Sequence, residues 1–175
     1  MPRRSSEDLS RQIIIVVLDD LPKAKLKRKE NVKFFKKLKK IKPKVLDRLI
    51  HPLHDEVFSC TNCLECANCC KTTGPLFTDK DIFSISKYLK IKPSSFVEKY
   101  LRIDEEKDYV LKSTPCVFLA DDNSCTIYES RPKACRDFPH TDRIKQSQLL
   151  QITQKNYEIC PAVYKVIEKL KLEIN

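Results

Sequence analysis

The stretch FSCTNCLECANCC, residues 58–70, holds five of the nine cysteines in a chain of 175 residues. Cysteine recurs there at every third position and the run ends in an adjacent pair: Cys60, Cys63, Cys66, Cys69 and Cys70. A free buried cysteine packs as a small hydrophobe, which gives no reason for a repeat of three flanked by polar residues. The choice is therefore between disulfides and metal.

The N-terminal sequence argues against disulfides, which persist in oxidising compartments. The chain starts MPRRSSEDLSRQ, and its apolar run at residues 13–18 is only six long before Asp19 and Asp20. A secretory signal needs a longer apolar run and a small-residue cleavage site, and a membrane span needs about 20 apolar residues. The sequence predicts a cytoplasmic protein with no transmembrane segment and with reduced thiols that bind metal.

The two-residue spacers are compatible with two kinds of metal centre. Such a spacer lets both thiolates face one cation, as in zinc knuckles and in the bacterial iron–sulfur run. Sulfur ligation suits both metals. Three consecutive spacers, together with Cys160 followed by Pro161, favour an iron–sulfur cluster slightly over Zn²⁺.

The adjacent Cys69 and Cys70 carry a further prediction. Neighbouring side chains in an extended or turn backbone diverge, so two adjacent thiolates rarely bind one tetrahedral ion. We expect the pair to split between two centres, or between a centre and a free thiol.

Four more cysteines follow in separate motifs. The segment CVFLADDNSCTIY predicts a β-hairpin that brings Cys116 and Cys125 together. Cys135 follows a proline-started turn, and Cys160 precedes a helix predicted over residues 162–170. Eight of the nine cysteines can therefore form two sets of four, which permits one or two metal sites.

These motifs resemble a known family. CxxCxxCC over residues 63–70, PCxFL over residues 115–119, CxIYExRPxxCRxFP over residues 125–139 and a late cysteine are similar to the CxxCxxCC cysteine-cluster family of zinc- or iron-chelating proteins. The resemblance spans roughly residues 58–165. It implies metal binding by Cys63, Cys66, Cys69, Cys70, Cys116, Cys125, Cys135 and Cys160. Because Cys60 also fits the opening of the motif, either Cys60 or Cys66 is supernumerary.

The remaining pattern predicts an α+β fold with a small core, since 41% of residues are hydrophobic and 33% are charged. Thr78 and Asp81 mark a helix start, and a second helix is expected over residues 94–100. Their inward side chains would be Ile82, Ile85, Leu89, Phe96, Val97 and Leu101. We expect a small, mainly helical, metal-stapled domain with a short β-hairpin and irregular cysteine-rich loops at residues 51–175, preceded by an N-terminal extension at residues 1–50.

Residues 23–44 form a strongly basic segment. It holds twelve lysines and arginines and one glutamate, a net charge of +11, whereas the whole chain is +10. Phe34, Phe35, Leu38 and Ile41 recur at helical spacing until Pro43. The pattern predicts an amphipathic helix that docks on a domain with its lysine face in solvent. The alternative is that this face binds nucleic acid, an anionic membrane or another acidic partner.

Composition also limits the functions. With Gly74 as its one glycine, the chain has neither a dinucleotide fingerprint nor a Walker loop. We do not expect His51, His54 or His140 to be ligands, because the cysteines suffice. Lysines and arginines beside the cysteines would balance thiolate charge; they are Lys71, Arg131, Lys133 and Arg136.

The sequence thus predicts metal binding by cysteine thiolates and leaves the biochemical role open. One alternative is a zinc-stabilised interaction module that binds RNA or an acidic partner through its basic helix. Another is a cluster-dependent protein-modifying enzyme. The sequence leaves the oligomeric state open.

Overall fold

The computed structural model describes residues 20–174, so the apolar run at residues 13–18 lies outside the described part. The helices, in chain order, are α1 (Asp20–Leu26), α2 (Arg28–Leu38), α3 (Pro43–Ser59), α4 (Cys63–Cys66), α5 (Asn68–Thr72), α6 (Asp79–Tyr88), α7 (Pro93–Tyr100), α8 (Lys133–Asp137), α9 (Gln146–Tyr157) and α10 (Pro161–Ile174). The strands are β1 (Leu76–Phe77), β2 (Leu101–Ile103) and β3 (Tyr109–Leu111), and a 3₁₀ turn spans Tyr128–Ser130. Across these described residues, every helix is too short or too polar to cross a bilayer.

The chain divides into two compact units. The first unit combines Met1–Cys66 with Pro139–Asn175, and the second is Ala67–Phe138. Helix α3 runs unbroken across residue 50, and the division into an N-terminal extension at residues 1–50 and a metal-binding domain at residues 51–175 stays a prediction.

The first unit is a bundle of helices. Helix α3 packs against α9 and α10, while α2 packs against α9 and α1 against α10. Prolines open α3 and α10, where a missing N–H costs nothing because the first turn has no intrahelical acceptor for it. Fully buried aliphatic side chains fill the centre: Leu38, Leu46, Ile50, Leu150, Val163, Val166, Ile167 and Leu170.

Helix α2 docks on this bundle through its apolar side. Phe34, Phe35 and Leu38 are buried in the first unit's core, and the lysines between them are exposed. An ion pair of 2.6 Å joins Lys27 Nζ to Glu168 Oε2 on α10. The predicted docking helix with a solvated lysine face is confirmed, although it begins at Arg28 and ends at Leu38.

The second unit combines helices with a small antiparallel sheet. The strand order is β1-β3-β2, with Leu76 opposite Val110 and Ile103 opposite Tyr109. Helix α7 leads directly into β2, and α6 packs against α7 and β1. The core of this unit contains Phe77, Ile82, Ile85, Phe96, Leu101, Leu111, Phe118 and Ile127, and partly buried Leu89, Val97, Cys116 and Cys125 pack against it. The α+β class and the two predicted helices are confirmed.

The predicted hairpin in residues 116–128 is reduced to one bridge, between Leu119 and Cys125. Both arms turn back on themselves instead of extending. The N–H of Leu119 donates to the carbonyl of Cys116, and the N–H of Tyr128 donates to that of Cys125. These i to i−3 hydrogen bonds occupy backbone N–H and C=O groups that a longer pair of β-strands would need for its own hydrogen bonds. The paired strands β2 and β3 form the hairpin, in residues where none was predicted.

Two leucines on α10 provide a matched test of the first unit's core. Leu170 is fully buried, whereas Leu172 is 79% exposed on the same helix. We expect Leu170→Ala to lower the free energy of unfolding by about 2–5 kcal/mol, because it leaves a cavity. Leu172→Ala should change it by less than about 0.5 kcal/mol. Denaturant unfolding of both variants measures the difference, and equal effects would contradict the packing described for α10.

Candidate metal centre

Four thiols of the second unit come from separate elements and approach one another. Cys70 lies on α5, Cys116 and Cys125 lie in the bridged loop, and Cys135 lies on α8. The N–H of Cys116 donates to the carbonyl of Cys70 at 2.8 Å, which ties the loop to α5. Cys116 and Cys125 pack against the same core, and the close approach of their two thiols stays a prediction.

Burial and repulsion disfavour the thiolate forms of three members of this group, Cys116, Cys125 and Cys135. Burial raises the pKa of Cys135 to about 12, with further increases from the charges of Cys70, Cys116 and Cys125. The pKa values of Cys116 and Cys125 are raised for the same reasons, burial first. Bound cations reverse this balance, since they stabilise the thiolates that the neighbours repel.

Backbone N–H groups already point at two of these sulfurs. The N–H groups of Phe118 and Leu119 interact with Cys116 Sγ, and that of Ile127 interacts with Cys125 Sγ. Each bond lowers the pKa of its thiol and opposes the effect of burial. Hydrogen bonds to ligand sulfurs are the outer-shell contacts that tune thiolate-bound metals.

Cys69 and Cys70 do not diverge as expected. Their Sγ atoms lie 3.9 Å apart, close to the roughly 3.8 Å that separates two sulfurs held at 2.3 Å by one tetrahedral zinc. A hydrogen bond from the Cys69 thiol lowers the pKa of Cys70 to about 7, helped by Lys71 and opposed by burial. The two sulfurs are thus closer than expected, and their backbone is the helical turn of α5 instead of the extended or turn backbone on which the expectation of divergence was based. The split between two centres stays a prediction.

The first unit carries a second group of thiols, beginning with α4. This single turn places Cys63 and Cys66 three residues apart, which is one face of a helix. The side chain of Asn62 starts the turn by accepting from the N–H of Leu64 at 3.1 Å and donating to Glu65. The two-residue spacer between Cys63 and Cys66 thus forms one helical turn, and that both thiolates face one cation stays a prediction.

Cys160 is the N-cap of α10, and Pro161 is the first helical residue. Burial raises the pKa of Cys160 to about 11, and the thiolates of Cys63 and Cys66 raise it further. The N–H groups of Ala162 and Val163 lower it, as donors to a capping side chain do. The Cys160-Pro161 dipeptide therefore places the Cys160 sulfur at the N-terminus of α10, which is the positive end of the dipole of this 14-residue helix.

Cys60 is exposed, as Cys63 is, but it bonds to the helix that precedes it. It is exposed at the C-terminal end of α3, and its thiol donates to the carbonyl of Val57 at 3.3 Å. The Cys66 side chain is partly buried and acts on Cys160. Of Cys60 and Cys66, Cys60 is therefore the better candidate for the cysteine that binds no metal.

The histidines of α3 have other partners. His51 Nε2 lies 2.9 Å from the carbonyl oxygen of Arg143, and His54 Nδ1 lies 2.8 Å from Thr141 Oγ1. The His54 ring also stacks on Phe58, and burial lowers its pKa.

Cations stand beside the thiols, as the sequence predicted. Arg131 lies over the Tyr128 ring, 3.7 Å from its centroid, and lowers the pKa values of Cys125 and Cys135. Lys71 does the same for Cys70. Lys133 pairs instead with Asp137, and Arg136 with Asp81.

Asp81 is the site residue whose role the sequence did not reveal. It is 5% exposed and forms a capping box with Thr78 on α6. Its other oxygen accepts from the N–H of Lys133 at 2.9 Å and lies 3.7 Å from Arg136 Nη2. One carboxylate thereby holds the helix that carries Cys135, because Lys133 begins α8. The sequence signal, Thr78 with Asp81 three residues on, indicated only a helix start.

The fold and these thiols define a class of protein: a small α+β protein whose clustered cysteines are of the type that binds metal. Within residues 20–174, no three His, Cys, Asp or Glu side chains stand close enough together to hold an ion as they are. Residues 62–161 match the CxxCxxCC family model, described as "Putative zinc- or iron-chelating domain". The chain belongs to this family. The match begins after Cys60.

A curated relative adds a second comparison. The chain is 32% identical over 91 residues to the Uncharacterized protein MJ0661 of Methanocaldococcus jannaschii, a match that covers 50% of this chain and 49% of that protein. The chain thus aligns with about half the length of the relative. No solved structure matches the chain.

Replacing Asp81 tests its role in holding α8. Asp81→Ala leaves the N–H groups of Thr78 and Lys133 without their acceptor, so we expect a loss of about 1–3 kcal/mol of stability. Asp79→Ala, an exposed first-turn neighbour, should cost at most about 1 kcal/mol through the helix dipole. Denaturant unfolding compares the two variants. Equal losses would contradict the buried role of Asp81.

The same carboxylate makes stability depend on pH. Burial alone would raise the pKa of Asp81, but hydrogen bonds from Thr78 and Lys133, with the charge of Arg136, bring it below the usual value. Its contribution is therefore present above the unfolded-state pKa and is lost as pH falls through the folded-state pKa. We expect the stability gap between wild type and Asp81→Ala to shrink below about pH 4. A gap that stays constant in acid would contradict this.

Proposed function

We propose that the protein holds iron, as an iron–sulfur cluster, or zinc through two groups of cysteine thiolates. One group draws on Cys70, Cys116, Cys125 and Cys135 of the second unit. The other includes Cys63, Cys66 and Cys160 of the first unit. Cys69 lies beside Cys70, with 3.9 Å between their Sγ atoms, and Cys60 belongs to neither group.

The observation that carries this proposal is the set of four second-unit thiols from separate elements. They are partly buried, lie within electrostatic range and receive backbone N–H bonds on Cys116 and Cys125. Donors aimed at sulfur stabilise the thiolate, which is the form that binds metal. Binding would draw the four sulfurs to ligand distances and release their protons.

Iron–sulfur is the first candidate for the metal. The run of two-residue spacers and the Cys160 cap followed by Pro161 resemble ferredoxin spacing. Zinc is the second candidate, because four thiolates also make a closed structural zinc site. Either function needs reduced thiols, and we propose a reducing compartment such as the cytoplasm.

Metal counting tests the proposal. Protein purified without oxygen should contain iron with matching acid-labile sulfide and absorb visible light, or zinc without sulfide or colour. Cys135→Ser should remove the metal of one centre, because it removes a ligand from the second-unit group. Cys60→Ser, the matched control, should keep the wild-type count. Wild-type protein without stoichiometric iron or zinc would overturn the proposal.

The role of the adjacent Cys69 and Cys70 on α5 needs a separate metal count. If Cys69 and Cys70 serve different centres, Cys69→Ser and Cys70→Ser each remove one centre's metal, and the double variant removes both. If they serve one centre, both single variants and the double variant lose the same metal. The second outcome would refute the split but would leave metal binding intact.

A further inference from the structure

A row of lysines runs along the solvent side of α2. Lys29, Lys33 and Lys36 lie on this helix, and Lys40 lies in the turn that follows; all four are exposed. At 100° per residue, positions 29, 33, 36 and 40 fall within about 60° of one another. We call these four residues the lysine row.

The opposite side of α2 packs in the core of the first unit. Asn31, Phe34, Phe35 and Leu38 are buried, and they lie about 180° from the lysine row. Asn31 Oδ1 also accepts from the buried ammonium of Lys171 at 2.6 Å. The helix therefore cannot rotate to insert its phenylalanines elsewhere without dismantling the first unit's core.

The charges of the lysine row are not compensated by carboxylates of the described chain. Glu30, the one acid of the basic segment, lies 3.2 Å from Lys171. Lys27 pairs with Glu168 and Arg28 with Glu158. In residues 21–174, no carboxylate lies within ion-pair distance of a lysine-row ammonium.

This arrangement costs stability. Lysines four residues apart repel by a few tenths of a kcal/mol per pair, and Lys29 in the first turn opposes the helix dipole. The described residues supply no ion pair that offsets this repulsion, whereas a negatively charged partner would offset it.

We propose that the lysine row binds the phosphate backbone of nucleic acid. Successive lysines stand about 4.5–6 Å apart along the axis, and flexible ammonium groups at that spacing reach the phosphates of one strand, which carries one charge per about 3.4 Å. A membrane is the poorer partner, because interfacial helices bury their apolar side in lipid and that side of α2 is already buried in protein. The contacts are to phosphate, so the binding is independent of base sequence.

The test is fluorescence anisotropy of the full-length, metal-containing protein with a labelled 30-nucleotide RNA and a 30-base-pair DNA. Four duplex phosphate contacts give a salt slope of about −3.6, or about 150-fold weaker binding at 200 mM than at 50 mM salt. We expect Lys29→Gln/Lys33→Gln/Lys36→Gln/Lys40→Gln to weaken binding at least tenfold and to flatten this slope. Tighter binding of one probe identifies the source of the phosphates, and either preference supports the proposal.

A matched variant removes the same charge elsewhere. Lys80, Lys87, Lys92 and Lys107 are exposed in the second unit, and their replacement by Gln should change the affinity less than threefold. Equal weakening by both variants would mean that net charge alone causes binding, and would overturn the proposal. Wild-type affinity in the lysine-row variant would also overturn it, as would equal binding to phosphatidylserine vesicles or polyglutamate. An unchanged metal count in both variants separates this result from the metal-binding proposal.

Discussion

Several thiolates cannot be buried side by side unless a cation joins them. This constraint governs the second unit, where Cys116 and Cys125 pack against the apolar core while the charges of neighbouring thiols raise the pKa of Cys135. Burial and repulsion both favour the neutral thiols of Cys116, Cys125 and Cys135, whereas backbone N–H bonds to Cys116 and Cys125 and the charge of Arg131 beside Cys125 and Cys135 act in the other direction. Without metal, four thiols at these positions stabilise the fold less than four apolar side chains would. A bound metal would restore that stability.

The elements around the thiols are correspondingly short. Strands of two or three residues and helices of five residues form few hydrogen bonds of their own. Side chains therefore hold them, and Asp81 shows how: its two oxygens join the start of α6 to the start of α8. The stability of the Cys135 helix depends on a residue 54 positions earlier in the chain, which is a long-range contact that a short helix needs.

The sequence predicted what depends on local pattern. Hydrophobic spacing identified α2, α6 and α7, and Thr78 with Asp81 identified a helix start that the structure confirms as a capping box. The sequence did not predict contacts between segments that are far apart in the chain. The apolar and β-branched residues on both arms of CVFLADDNSCTIY are typical of strands, but i to i−3 hydrogen bonds turn both arms back. No local signal showed that Tyr109 would pair with Phe77. The position of α9 and α10 against α3 also depends on side chains more than 90 residues apart, such as Asp47 accepting from the N–H of Gln146.

The basic helix shows why one pattern supports two conclusions. Amphipathic spacing indicates that an apolar side must be covered, but it does not state whether protein or lipid covers it. The structure supplies that answer, because Phe34, Phe35 and Leu38 belong to the same core as Leu46 and Ile167. Once the apolar side is accounted for, the lysines can no longer be explained as the solvated border of a membrane-bound helix. Their charge is then a property of the folded surface, because the core behind α2 fixes the backbone positions of the lysines. Flexible side chains on a fixed row of backbone positions suit a regularly charged polymer.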